Sequence, residues 1–112
     1  MSKLPSHTEV VIIGGGIAGT SIAYHLAERN VQVTLVERKS LTCGTTWHAA
    51  GLVSQLGPSA AITKIRKYTL DLYKKLEKEV DHSAGLRLNG ALSIAQTDAR
   101  WQELRRQATT AQ

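Results

Sequence analysis

Three glycines, one glutamate and one histidine are the residues of this chain whose types and spacing could do chemistry. Gly14, Gly16 and Gly19 satisfy G-x-G-x-x-G. In that spacing the first glycine makes a tight strand-to-helix turn and the second lets backbone approach a pyrophosphate. The third lets a helix pack closely on a strand. A helix that begins near Ile17 and Ala18 aims its unpaired N–H groups and the positive end of its dipole at the phosphates, so no charged side chain is required there. Glu37 follows eighteen residues after Gly19. A carboxylate at that place accepts hydrogen bonds from ribose hydroxyls and repels a 2′-phosphate, which points to FAD or NAD rather than NADP. His48 supplies an imidazole, whose neutral form is a competent nucleophile.

The elements needed to position these groups can be read around them. A lone glycine fingerprint is a weak signal, because glycine-rich turns are common in ordinary loops; its context gives it weight. Val10 to Ile13 is an uninterrupted β-branched run, as expected of a parallel strand buried on both faces. Ala23 and Leu26 place small and medium apolar groups on the sheet-facing side of the following helix. Asn30 can take the left-handed conformation that ends it. Val31, Val33 and Leu35 then alternate, and the second strand delivers Glu37 at its carboxyl end. The expected unit is βαβ; an αβ packing unit that binds no phosphate is the bland alternative.

Composition sets the outer limits. The chain has 112 residues and is 42% hydrophobic, enough for one small core. A single cysteine rules out an internal disulfide and makes a reducing compartment the default. The opening residues MSKLPSHTE resemble neither a signal peptide nor a transit peptide, and no run is long enough for a membrane span. The expected location is therefore the cytoplasm, or the mitochondrial matrix in a eukaryote. The formal charge is +5, but ten of the fourteen Lys and Arg lie beyond residue 60 mixed with six acids. Residues 64–79 read KIRKYTLDLYKKLEKE, the mixed polar face of an amphipathic helix more than a basic stripe, so nucleic acid is not an expected partner.

After Glu37 the segment RKSLTCGTTWHAAGLVSQLGPS is punctuated by Gly44, Gly51 and Gly57, with hydroxyls on Thr42, Thr45 and Thr46. It reads as an ordered loop carrying function. Eleven residues separate Glu37 from His48, a reach of at most about 36 Å, enough to run from the ribose towards the far end of a dinucleotide. Within it, TCGTTWHAAGLV at residues 42–53, following the glycine unit that ends in Glu37, resembles the FAD-dependent dehydrogenases of sarcosine and dimethylglycine. These belong to the wider D-amino-acid oxidase-like superfamily. The later LYKKLEKE and LNGALSIAQT stretches are also similar to that family.

The resemblance implies a Rossmann-like FAD-binding domain. It implies a covalent bond from His48, within Trp47-His48-Ala49-Ala50-Gly51-Leu52, to the flavin 8α-methyl carbon. The implied cofactor-binding set is Gly14, Gly16, Ile17, Ala18, Gly19, Glu37, Arg38, Thr45, Thr46, His48, Gly51 and Leu52, with the threonines near phosphate; Arg38 and Lys39, which follow the ribose acid, lie either near the adenosine phosphate or, as the plainer reading, in solvent. The implied reaction is oxidation of an N-methylated amino acid by hydride transfer to flavin, with tetrahydrofolate as a possible one-carbon acceptor and an unidentified electron acceptor. The alternatives are oxidation of another secondary or tertiary amine, and a non-catalytic role such as that of the regulatory subunit of pyruvate dehydrogenase phosphatase.

The remaining residues have plainer expectations. Cys43 and His48 have ligand-like spacing, but two candidates do not make a metal site, so no metal is expected. Cys43 reads as a small packed loop residue, and His7, His25 and His82 as structural or solvated. Trp47 could cover the flavin or anchor the loop. Ser59 is a suitable N-cap for a helix whose Ile62, Ile65, Thr69, Leu72, Leu76 and Val80 form one apolar stripe, ending before Gly85. Asn89-Gly90 between two apolar-rich runs predicts a β-hairpin over Leu86 to Ala95. Thr97 or Asp98 can cap a last helix with Trp101, Leu104, Ala108 and Ala111 on one face. The expected organisation is α/β: the N-terminal part of a Rossmann-like FAD-binding domain, with a βαβ unit and flavin loop over 9–57. A helix, hairpin and terminal helix over 58–112 begin a substrate-side region. Two strands and a hairpin cannot cover both faces of a sheet, so the chain is expected to be part of a longer protein, with its catalytic residues downstream of residue 112.

Overall fold

The computed structural model describes residues 5–111, which form two compact units, one ending at Gly51 and the other beginning at Leu52. The first is a parallel βαβ unit. Strand β1, Val10–Ile13, pairs with β2, Val33–Val36, in the register Val10 to Val33 through Ile13 to Val36. Helix α1, Ile17–Ala27, makes the crossover. Its end is closed as a Schellman motif, with the Val31 N–H donating to the Leu26 carbonyl at 3.1 Å and the Asn30 N–H to the Ala27 carbonyl at 2.9 Å. Asn30 sits at φ +58, the left-handed conformation expected of it.

The sheet differs from expectation in one respect. Ile12 is buried against the α1 side at 8% exposure, but Val11 and Ile13 on the opposite face are 58% and 89% exposed. Alternation along the strand sends these residues to opposite faces, and α1 covers only one of them. The expectation of a strand buried on both faces is therefore met on one.

The second unit is helical. Helix α2, Ala60–Glu79, starts at Ser59, whose hydroxyl accepts from the Ile62 N–H at 3.3 Å. The chain before it lies close: the Gly57 N–H donates to Thr63 Oγ1 at 3.0 Å, and a Cβ on Gly57 would stand 2.6 Å from the Ile62 side chain. Leu70 is the buried residue of this helix, while Ile65, expected in the apolar stripe, is 61% exposed. Helix α3, Asp98–Ala111, touches α2 and is capped by Thr97 Oγ1, which accepts from the Arg100 N–H at 3.2 Å.

The hairpin predicted over Leu86 to Ala95 does not form, and no strand occurs in that segment. A type I′ turn needs positive φ at both central residues, whereas Gly90 has φ +71 and Asn89 is not in that region. Leu88, Leu92 and Ile94 are all exposed, so no apolar layer stabilises the two arms. An isolated two-stranded hairpin is at best marginal in water.

Candidate cofactor site

The site is built at the carboxyl ends of β1 and β2. Gly14 leaves β1 at φ +107, a conformation that side-chain-bearing residues avoid, and its N–H donates to the Val36 carbonyl at 2.8 Å. The chain then turns directly into α1, with Gly16 extended at the N-cap and offering no side chain to the helix end. No acidic residue occupies the first turn, so the positive end of the helix is not neutralised there. Gly19 permits the close packing expected of it: a Cβ there would collide with the Gly14 carbonyl oxygen and lie 3.3 Å from Ile12 Cγ2. Next to Gly14 the direction of a Cβ is open space.

Glu37 follows β2 and is held by backbone. Its Oε2 accepts from the Gly15 N–H at 2.8 Å and its Oε1 from the Lys39 N–H at 2.9 Å. The Gly15 bond is the main reason its pKa lies below the ordinary carboxylate value, followed by the Lys39 bond; desolvation opposes them, and the Arg38 N–H and charge add lesser contributions in the lowering direction. Each carboxylate oxygen has a second lone-pair direction left for a ribose hydroxyl.

Gly15, an unspecified position in the fingerprint, proves central. It is buried, and its carbonyl accepts from the Thr42 N–H at 2.9 Å while its N–H reaches Glu37. A Cβ on Gly15 would meet Leu41 Cδ2 at 2.5 Å and Glu37 Cβ at 3.1 Å. Three consecutive glycines were the available signal: the fingerprint explains two of them and leaves the middle one to the loop. Thr42 takes φ +62, an unusual conformation for a β-branched residue, and is over-determined by its bond to Gly15.

The loop next forms a 3₁₀ turn, Thr45–His48. Thr46 Oγ1 accepts from the Ile17 N–H at 3.0 Å and would lie 3.1 Å from a Cβ on Gly16. Its oxygen thus contacts one of the helix-terminal donors that a phosphate would use. At the end of the turn the His48 ring stacks on Trp47, with centroids 3.8 Å apart and planes inclined by 33°. Both side chains are exposed.

Gly14, Gly16, Ile17, Gly19, Glu37 and Thr46 are therefore brought together, with Gly15 and Thr42 added. Ala18 follows on the exposed side of α1, Thr45 opens the 3₁₀ turn, and Arg38 lies exposed beside Glu37. Gly51, at φ +73, ends the first unit; Leu52 begins the second and is 90% exposed. Cys43 is exposed rather than packed. His25 is structural, its Nδ1 2.7 Å from the Ser21 carbonyl one turn earlier. Among the described residues no group of three or more His, Cys, Asp or Glu could hold a metal ion, and no helix is long and apolar enough to cross a membrane.

The cradle fits a dinucleotide pyrophosphate: side-chain-free backbone at a helix N-terminus, open space beside Gly14, and a carboxylate at the end of β2. Comparison with known proteins agrees. The sequence profile described as FAD dependent oxidoreductase matches residues 9–112. The chain is 44% identical over 102 residues to 4-methylaminobutanoate oxidase (formaldehyde-forming) of Paenarthrobacter nicotinovorans, and 43% identical over 102 residues to mitochondrial dimethylglycine dehydrogenase of Homo sapiens. Each match takes in 90% of this chain and 12% of the relative, so the chain spans about an eighth of their length. Among solved structures, L-proline dehydrogenase from P. horikoshii superposes with a TM-score of 0.86 at 30% identity, over 96% of this chain and 28% of that one.

Proposed function

This chain belongs to the FAD dependent oxidoreductase family, and from that premise we propose that it supplies the FAD-binding end of an enzyme oxidising an N-methylated amino acid. The observation that carries the reading is the Trp47–His48 pair on a 3₁₀ turn tied by Thr46 to the first N–H of α1. A glycine cradle alone would serve any dinucleotide. A nucleophilic side chain on a loop anchored to that cradle is suited to a flavin tether, and the relatives that oxidise N-methyl amines share most of the chain.

In this reading the Gly16 N–H, the open N–H groups of the first turn of α1 and the α1 dipole hold the pyrophosphate, with the Ile17 N–H joining them where phosphate displaces Thr46 Oγ1, and Gly19 keeps the helix close enough to do so. Glu37, ionised and held by Gly15 and Lys39, accepts from the ribose hydroxyls. His48 would be the residue that tethers the flavin through an imidazole nitrogen, with the stacked Trp47 ring holding the imidazole's orientation. The bound flavin supplies the hydride acceptor for a C–H bond next to the substrate nitrogen, and the chain's own part is placement and electrostatics. The iminium product would hydrolyse to formaldehyde and the demethylated amine, or pass its one-carbon unit to tetrahydrofolate.

The test uses the full-length protein. It is denatured in acid, the precipitate is examined for flavin fluorescence, and the protein is assayed for flavin bleaching by dimethylglycine and sarcosine, in wild type and His48→Ala. The expected result is flavin retained by wild type, released by the variant, and bleached by an N-methylated amino acid. Release from both proteins would remove the tether. Retention without bleaching by any amine would favour a regulatory relative.

A further inference from the structure

The helical unit carries a concave surface of its own. A cleft of about 250 Å³ runs along α2, lined by Leu52, Val53, Ser54, Arg66, Thr69 and Tyr73. Arg66, Thr69 and Tyr73 stand three and seven residues apart, on one helix face over about 10 Å. Leu52 to Ser54 form the facing wall.

Arg66 is the unusual member. It is half-buried, and its Nη1 donates to the Leu56 carbonyl at 2.6 Å and to Ser54 Oγ at 3.1 Å. Both acceptors are neutral, so they fix the guanidinium without cancelling its charge. Among the described residues no carboxylate pairs with it, although other cations of this unit do have acidic partners, such as Lys74 with Asp71 and Arg106 with Glu103. The Arg66 donors not used by Ser54 and Leu56 are free to take a carboxylate. Ser54 accepts from Arg66 and so retains its own hydroxyl proton for a ligand. Thr69 cannot be a second donor, because its hydroxyl donates to the Ile65 carbonyl at 3.1 Å; it offers its methyl group instead. Leu52, Val53 and the Tyr73 ring continue the apolar wall.

We propose that this cleft is a binding site for a small aliphatic carboxylate, with the acid group on Arg66 and Ser54 and the carbon body extending towards Tyr73. Its volume lies just below the usual range for ligand pockets, which limits the ligand to an acid of a few carbons. The carboxylate could belong to the enzyme's own substrate or to a separate small acid. The site itself does not depend on the flavin tether.

The experiment is calorimetric titration of the intact, cofactor-loaded protein with sodium butyrate and, in parallel, with neutral butyramide. Butyrate is expected to bind saturably and butyramide not to bind. Arg66→Met should weaken butyrate at least about tenfold, Arg66→Lys by less because a point charge loses the paired geometry, and Tyr73→Phe about twofold or less. Equal binding of acid and amide, undiminished binding in Arg66→Met, or no butyrate binding by wild type would each overturn the proposal. If Arg66→Met fails to fold, the acid–amide difference and Arg66→Lys still decide the matter. Butyrate competition against dimethylglycine turnover separates the sources: competitive inhibition relieved in Arg66→Lys assigns the cleft to the substrate, and binding without competition assigns it to a separate acid.

Discussion

Each fingerprint glycine excludes a side chain for a different reason, and this makes their substitutions distinguishable. At Gly19 a methyl group would collide with the Gly14 carbonyl, and backbone cannot swing aside as a flexible side chain can. Gly19→Ala is expected to cost about 3 kcal/mol or more and to leave the purified full-length protein without flavin, as read by thermal melting and by the ratio of flavin to protein absorbance. Gly16→Ala meets only the Thr46 hydroxyl at 3.1 Å, so it should retain fold and lose part of its flavin. Glu37 gives a prediction in pH. Its folded-state pKa is depressed below 4.5, so its contribution is fully present above that value and disappears as pH falls through the lower folded value. Acid melts of wild type should therefore fall more steeply below pH 4.5 than those of Glu37→Gln; parallel curves would show that the Gly15 bond adds nothing.

At the scale of elements, the two faces of β1 give a direct contrast. Ile12 is packed under α1, so Ile12→Ala should destabilise by about 2–4 kcal/mol, whereas Ile13→Ser on the open face should change stability by less than about 0.5 kcal/mol. Ser59→Ala removes the α2 cap and is expected to cost about 1 kcal/mol, with faster hydrogen exchange confined to the first turn of α2. In α3, Glu103 is held at about 2 by its paired contact with Arg106 and by Gln107, so the helix end should loosen only as pH falls from 4.5 towards that value. The βαβ unit was legible because its signals are local and agree: the β-branched run, the glycine spacing, Asn30 at the helix end and the acid after β2. The hairpin was not, because Asn89-Gly90 specifies a turn but cannot supply the layer its arms must pack on. The α2 stripe was read one face out of place at Ile65, since helical periodicity fixes a repeat but tertiary contacts choose which side is covered. Gly15 escaped notice because its constraint comes from Leu41 and Glu37, more than twenty residues away in sequence.

For the whole molecule, the mixed α/β architecture and the family follow from the first unit and the profile match, while the buried hydrophobic core of the described residues is confined to Ile12 and Leu70. Val11, Ile13, Leu88, Leu92 and Ile94 all remain open to water. The chain expressed alone is thus expected to bind a hydrophobic dye strongly and to exchange most amide hydrogens quickly, with slow exchange concentrated in β1, β2 and α1. Uniformly slow exchange and no dye binding would contradict this account of its stability.

The hydrogen bond from Ile17 to Thr46 spans 29 residues, and the bond from Gly15 to Glu37 spans 22. Loops of that size close quickly compared with ribosomal synthesis at about 5–20 residues per second. The nucleotide cradle can therefore assemble while later sequence is still being translated, and cofactor present at that moment would stabilise a nascent unit that otherwise holds a bare apolar sheet face. Flavin supply during synthesis, rather than after it, is then the condition most expected to govern how much protein escapes aggregation.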